Sequence, residues 1–160
     1  MYKTKNSMPE STRAQMVDLL NSCLATCLDA GMNSKQAHWN VKGPNFIALH
    51  ELFDQIYQSF SGYSDLIAER LVQLGGIAEG TAQFASKKSC IKEYPVALSE
   101  GHSHIEYLSD TLSGAGAQIQ KGINSCNEVR DADTADILTE ISRGIDKHLW
   151  FVEAHLQANK

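Results

Sequence analysis

Two imidazoles and three carboxylates in this 160-residue chain have the types and spacing of a metal centre: His38, His50, Asp54, Asp65 and Glu69. Mixed nitrogen and oxygen donors suit a borderline divalent ion such as Fe(II). Carboxylates stabilise Fe(III) more than Fe(II), because hard oxygen donors favour the higher charge, so the same set eases oxidation of the ion.

The element that must position four of these residues is a long helix, predicted from Pro44 to about Leu74. Proline suits the first helical position, and Gly75-Gly76 ends the run. At about 100° per residue, Leu49, Phe53, Ile56, Phe60, Ile67, Leu71 and Leu74 form one apolar stripe. His50, Asp54, Asp65 and Glu69 share another arc, nearly opposite, together with Ile47 and Val72. Residues 43 to 69 contain no Lys or Arg, whereas a solvated helix face usually mixes signs for i,i+4 pairing. The helical rise then decides the architecture. Asp54 and Asp65 lie about 16 Å apart along the axis, and His50 and Glu69 about 28 Å. Metal–ligand bonds are about 2 Å. His50 can share an ion with Asp54, and Asp65 with Glu69, but the two pairs cannot meet on one straight helix. They can meet if a second copy runs antiparallel across a two-fold axis, which gives two equivalent sites per dimer.

At these residues the chain resembles the Dps family, the DNA-binding proteins from starved cells within the ferritin-like superfamily. The shared pattern is His38-Trp39-Asn40-Val41-x-Gly43, then His50-x3-Asp54, then Asp65-x3-Glu69-Arg70, with Thr134-Ala-Asp-Ile-Leu138 and Leu149-Trp-Phe-Val-Glu153 near the end. The resemblance implies an all-α, ferritin-like four-helix bundle with one long crossover between its second and third long helices, assembled into a hollow dodecameric shell. It implies Fe(II) oxidation to Fe(III) at dimer-interface sites, commonly with hydrogen peroxide and otherwise with dioxygen as oxidant, and ferric mineral stored inside. By motif position, His38, His50 and Asp54 come from one subunit and Asp65 and Glu69 from its mate. Trp39 would lie near the iron and give up an electron to a stray oxidising equivalent; an aromatic packed at a helix end explains it equally well. Asp133 and Asp136, with Asp131, would line acidic channels, although acids at a helix N-terminus are also explained by capping and the helix dipole. Ordinary ferritin-like di-iron proteins use Glu-x-x-His pairs facing the bundle interior. No Glu here is followed by His at i+3, which argues against a centre inside the bundle.

Length and composition predict one domain, with residues 1–8 as a flexible arm and 9–160 as the bundle. The net charge of −5 and pI near 5.6 do not favour nucleic acid. A dodecamer would carry roughly −60, which repels phosphate. Lys3 and Lys5 are the only basic residues of the first ten, a shorter arm than DNA-binding members often use. DNA binding is therefore expected to be weak, with a DNA-compacting protein as the alternative function. No apolar run is long enough to span a membrane, and the N-terminus lacks a secretory signal. The expected location is cytoplasmic, with the nucleoid as a variant. Cys23 and Cys27 continue an apolar stripe and read as core, while Cys90 and Cys126 form no metal-binding spacing. His102, His104, His148 and His155 read as surface or packing residues. The four long helices are predicted over about 9–39, 44–74, from Pro95 or Ser99 to 126, and from Asp131 or Asp133 to 156. Ser7 and Glu10 are expected to form a capping box. A short helix is expected near 79–84.

Overall fold

Apolar residues recurring every three to four positions build four long helices, and a fifth, short one lies in the long connection. The computed structural model describes residues 1–157. The elements are α1 (Glu10–Asn40), α2 (Phe46–Gln73), α3 (Ala82–Lys88), α4 (Gly101–Glu128) and α5 (Ala132–Gln157). The last three positions of the expected bundle, Ala158 to Lys160, lie outside the described residues. Short turns join α1 to α2 and α4 to α5, so each pair packs antiparallel. The 74–100 crossover joins the pairs and carries α3. Among the described residues there is no strand, only an isolated bridge between Lys42 and Glu100.

The stripe predicted for α2 is the buried one. Leu49, Phe53, Ile56, Phe60, Ile67, Leu71 and Leu74 are all 2 % exposed or less. They meet Met16, Leu20, Leu24 and Cys27 of α1, with Leu108, Leu112 and Ile119 of α4 and Leu138, Ile141 and Ile145 of α5 completing the core. Cys23 and Cys27 are core residues as expected. Burial pushes the Cys23 thiol up to about 12 and, together with the Asp131 carboxylate, Cys126 up to about 11. All three buried thiols are thereby kept neutral, Cys27 included.

Four local expectations are corrected. Ser7 and Glu10 form no capping box: α1 is preceded by Pro9, has no side-chain cap, and starts at Glu10 itself. The Asn6 carboxamide instead accepts the Met8 N–H at 2.9 Å, turning the chain just before the helix. Helix α2 starts at Phe46 rather than Pro44. Its Phe46 N–H bonds back to the Gly43 carbonyl at 3.0 Å, and Gly43 has φ +112, a value that favours glycine. Helix α3 is shifted to Ala82–Lys88, because the Glu79 N–H is bonded to Asn21 and its carboxylate to Lys88 at 2.7 Å. Helix α4 starts after both proposed residues. The Ser99 carbonyl accepts the Lys42 N–H at 2.8 Å, holding the crossover against the α1–α2 turn. A Cβ on Gly101 would come within 2.7 Å of Leu49 Cδ1, so a larger residue there would require the Leu49 side chain to move for the first turn of α4 to approach α2 this closely.

Residues 1–8 lie along the end of α2. The Tyr2 N–H donates to the Gly75 carbonyl at 2.7 Å. Buried Arg13 donates to the carbonyls of Met8 at 3.1 Å and Leu74 at 2.9 Å.

Candidate metal centre

His38 sits in the last turn of α1 and His50 in the second turn of α2, so the five-residue connection brings them face to face. Their rings stack at 3.7 Å with 22° between planes. Each Nδ1 lies 2.8 Å from the other residue's backbone carbonyl oxygen. A carbonyl only accepts, so each Nδ1 is assigned the proton. The Nε2 lone pair of both rings is thereby left free. A backbone carbonyl that fixes the tautomer in this way is the usual support of a metal-binding imidazole.

Asp54 lies one turn beyond His50. Its carboxylate is ion-paired with Lys35 of α1, and the hydrogen bond from that ammonium holds its pKa below the ordinary carboxylate value. Lys35 also lies 4.8 Å from the Tyr57 ring centroid. The sequence contained a hint of this cation. Between 43 and 69 no Lys or Arg exists, so charge balance for the ligand arc has to come from another helix, and Lys35 is one turn before His38.

Asp65 and Glu69 are exposed on the same unbroken α2. The structure therefore brings His38 to His50, leaves Asp54 with Lys35, and keeps Asp65 and Glu69 apart from all three. Among the described residues no cluster of three or more His, Cys, Asp or Glu is close enough to hold an ion. Asp65 borders a cavity of about 530 Å³ lined also by Met32, Tyr57 and Ala68. Ile47, Val72 and Met32 are more than half exposed, as is Trp39 beside His38, at 61 %.

At the start of α5 the three acids differ. Asp131 is buried. It accepts from Arg70 at 2.9 Å and from the Thr134 N–H at 3.2 Å, so it caps the helix and ties it to α2. Asp133 and Asp136 are exposed, with one Asp133 oxygen 3.9 Å from Arg70. Arg70 was visible in the Asp65-x3-Glu69-Arg70 run, but its buried partner more than sixty residues away was not. His104 and His148 are packing residues, the latter bonded to Ser59 Oγ at 2.8 Å. His102 pairs with Glu106 at 3.4 Å on the surface.

The ferritin-like domain profile matches residues 17–160. A relative from Agrobacterium fabrum, "DNA protection during starvation protein", is 43 % identical over 156 residues, 98 % of this chain and 96 % of the relative. A solved Dps from Mycobacterium smegmatis superposes with a TM-score of 0.93 at 30 % identity, covering 99 % of this chain and 90 % of that one. A Dps from Microbacterium arborescens, described in a high iron form, gives 0.87 at 33 % identity over 94 % of this chain and 97 % of that one. This protein belongs to the Dps family of ferritin-like proteins.

Proposed function

We propose that this chain is an iron-storing, detoxifying ferroxidase whose oxidation site is completed by a second copy of itself. The observation that carries this reading is the division of ligands along one helix. His38, His50 and Asp54 make one half-site. Asp65 and Glu69, on the same face of an unbroken α2, make the other. An antiparallel partner brings unlike halves together twice. Iron is the substrate. Two Fe(II) give one electron each to hydrogen peroxide, which with two protons leaves as two waters, so no hydroxyl radical is released. Dimers build a hollow dodecamer in which ferric mineral collects. Asp133 and Asp136 line its acidic entry channels and attract cations. Trp39 gives up an electron when a single oxidising equivalent strays. The outcome in the cytoplasm is protection of DNA and thiols under stress, in keeping with the relatives' names. Residues 1–8 act as an arm beside the bundle of 9–160. With −5 net charge and two lysines in the arm, direct contact with DNA is weak.

The test is anaerobic Fe(II) titration of the purified protein, then oxidation by peroxide or by air, then measurement of particle size. Saturable binding, faster oxidation by peroxide and a many-subunit particle are expected. Equal rates with both oxidants contradict the choice of peroxide. Absence of saturable Fe(II) binding, with salt-dependent retardation of duplex DNA by the iron-free protein, would instead favour a DNA-compacting protein.

A further inference from the structure

Behind the turn that carries His38 and Trp39 lies a polar pair in a largely apolar core. Tyr94, on the crossover, is 7 % exposed, and His104, at the start of α4, is fully buried. The Tyr94 hydroxyl is hydrogen-bonded to His104 Nδ1. Among the described residues that hydroxyl has no other partner, so the phenol is assigned as donor and Nδ1 as acceptor. The other ring nitrogen, Nε2, is buried without a partner at hydrogen-bonding geometry, although the Asn40 and Leu98 carbonyls lie close enough to favour a positive ring. The His104 ring packs against both helices that carry His38, His50 and Asp54. Asn40 directly follows Trp39, and the Phe53 ring, next in sequence to Asp54, lies 6.2 Å from the His104 ring. On the far side Tyr107 stands edge-on to Tyr94 at 4.7 Å and donates to the Lys92 and Glu93 carbonyls at the surface.

Packing alone does not call for this chemistry, since apolar groups of the same shape can replace a buried hydrogen-bonded pair at little loss. A phenol donating to a neutral imidazole has a further property. Removing one electron makes the O–H strongly acidic, and the imidazole is already in position to take the proton. Burial keeps the two partners in the required forms: it raises the Tyr94 pKa and lowers that of His104.

We propose that Tyr94 and His104 are a redox-active pair that captures single oxidising equivalents escaping from the iron site, the electron leaving the Tyr94 phenol and its proton passing to His104 Nδ1. The pair depends on the ferroxidase function for its oxidant, a one-electron species of the hydroxyl-radical class formed when one Fe(II) meets peroxide. That species gains the electron and becomes hydroxide, which solvent neutralises. Tyr94 becomes a neutral phenoxyl radical and His104 an imidazolium. A further Fe(II) then reduces the phenoxyl, His104 returns the proton, and Fe(III) results. Each stray radical thereby oxidises one more Fe(II) instead of damaging the shell. Trp39, exposed on the adjoining turn, is the first stop on this route.

Two experiments on the full-length protein decide it. In the first, azide radicals from pulse radiolysis oxidise indole side chains of the iron-free protein. The indolyl absorption should decay as a phenoxyl absorption rises. Tyr94→Phe should abolish that rise and Tyr107→Phe should keep it. His104→Gln should slow it about a hundredfold, the lower range of what a positioned proton acceptor contributes. Wild type should also be slower in deuterated water, a readout that needs no variant to fold. An undiminished rise in Tyr94→Phe, with circular dichroism unchanged, overturns the proposal. In the second, Fe(II)-loaded protein is mixed with peroxide, freeze-quenched and read by electron paramagnetic resonance. A tyrosyl signal that narrows with ring-deuterated tyrosine and vanishes in Tyr94→Phe is expected. Its absence from wild type that oxidises Fe(II) overturns the proposal. A protein that oxidises no Fe(II) would refute the ferroxidase function instead, and the radiolysis result would still decide Tyr94 and His104.

Discussion

His38 and His50 each use Nδ1 on the other's carbonyl, so in the proposed site backbone geometry orients both Nε2 atoms before any ion arrives. Asp54 is different, because its partner Lys35 has to release it. Removing that competitor should help the metal: Lys35→Met should tighten Fe(II) binding about tenfold, within the roughly 1–4 kcal/mol that a close charge pair is worth from water to a partly screened surface. Anaerobic calorimetry checks this, and unchanged or weaker binding would mean that the ammonium supports the site. A second consequence concerns pH. Burial lowers the pKa of His104 and of His148, the latter with help from Lys147. The unfolded chain takes up these protons near 6.5. Between that value and the lower folded ones the unfolded state binds more protons, so the contribution is complete above about pH 6.5 and is lost as pH falls. The thermal midpoint should therefore drop between about pH 7.5 and 5.5, and His148→Gln should lessen the drop. Equal slopes in wild type and variant would exclude His148 as a source.

Helix α2 is the element on which both the core and the proposed site depend, one face feeding the apolar interior and the other carrying the proposed ligands. Arg70 joins its end to α5 through Asp131, with side-chain exposures of 8 % and 2 %. Arg70→Met would leave Asp131 buried and unpaired, and should cost about 3–5 kcal/mol in urea unfolding; a loss below about 1 kcal/mol would mean that water reaches the carboxylate. Much of this element was legible in the sequence because periodicity and rise are local rules: the α2 stripe and the separation of His50 and Asp54 from Asp65 and Glu69 needed nothing else. Helix starts were less legible. Ser7 was bypassed when Asn6 turned the chain, and Ser99 was claimed by Lys42 across the bundle. The Arg70–Asp131 and Tyr94–His104 contacts join separate elements, and no residue pattern encodes a partner at that distance; for Lys35–Asp54 the only hint was the lack of cations between 43 and 69.

At the scale of the whole molecule, the proposed function gives one chain two unlike half-sites beside an outward face bearing Ile47, Val72 and Met32, each more than half exposed. A second copy would cover this face and complete the centre, and every step of the proposed oxidation depends on that sharing. Mixing two defective variants tests it most directly. His50→Ala removes one half-site and Glu69→Ala the other, and neither residue belongs to the buried stripe, so each variant alone should fold and assemble but lose most fast Fe(II) oxidation. In a mixed dimer one site carries both defects and the other is intact. Random pairing makes about half the dimers mixed, so unfolding and co-assembling the two variants should restore about a quarter of wild-type activity. Activity that stays at the level of the single variants, with co-assembly verified by mass, would contradict a centre divided between two subunits.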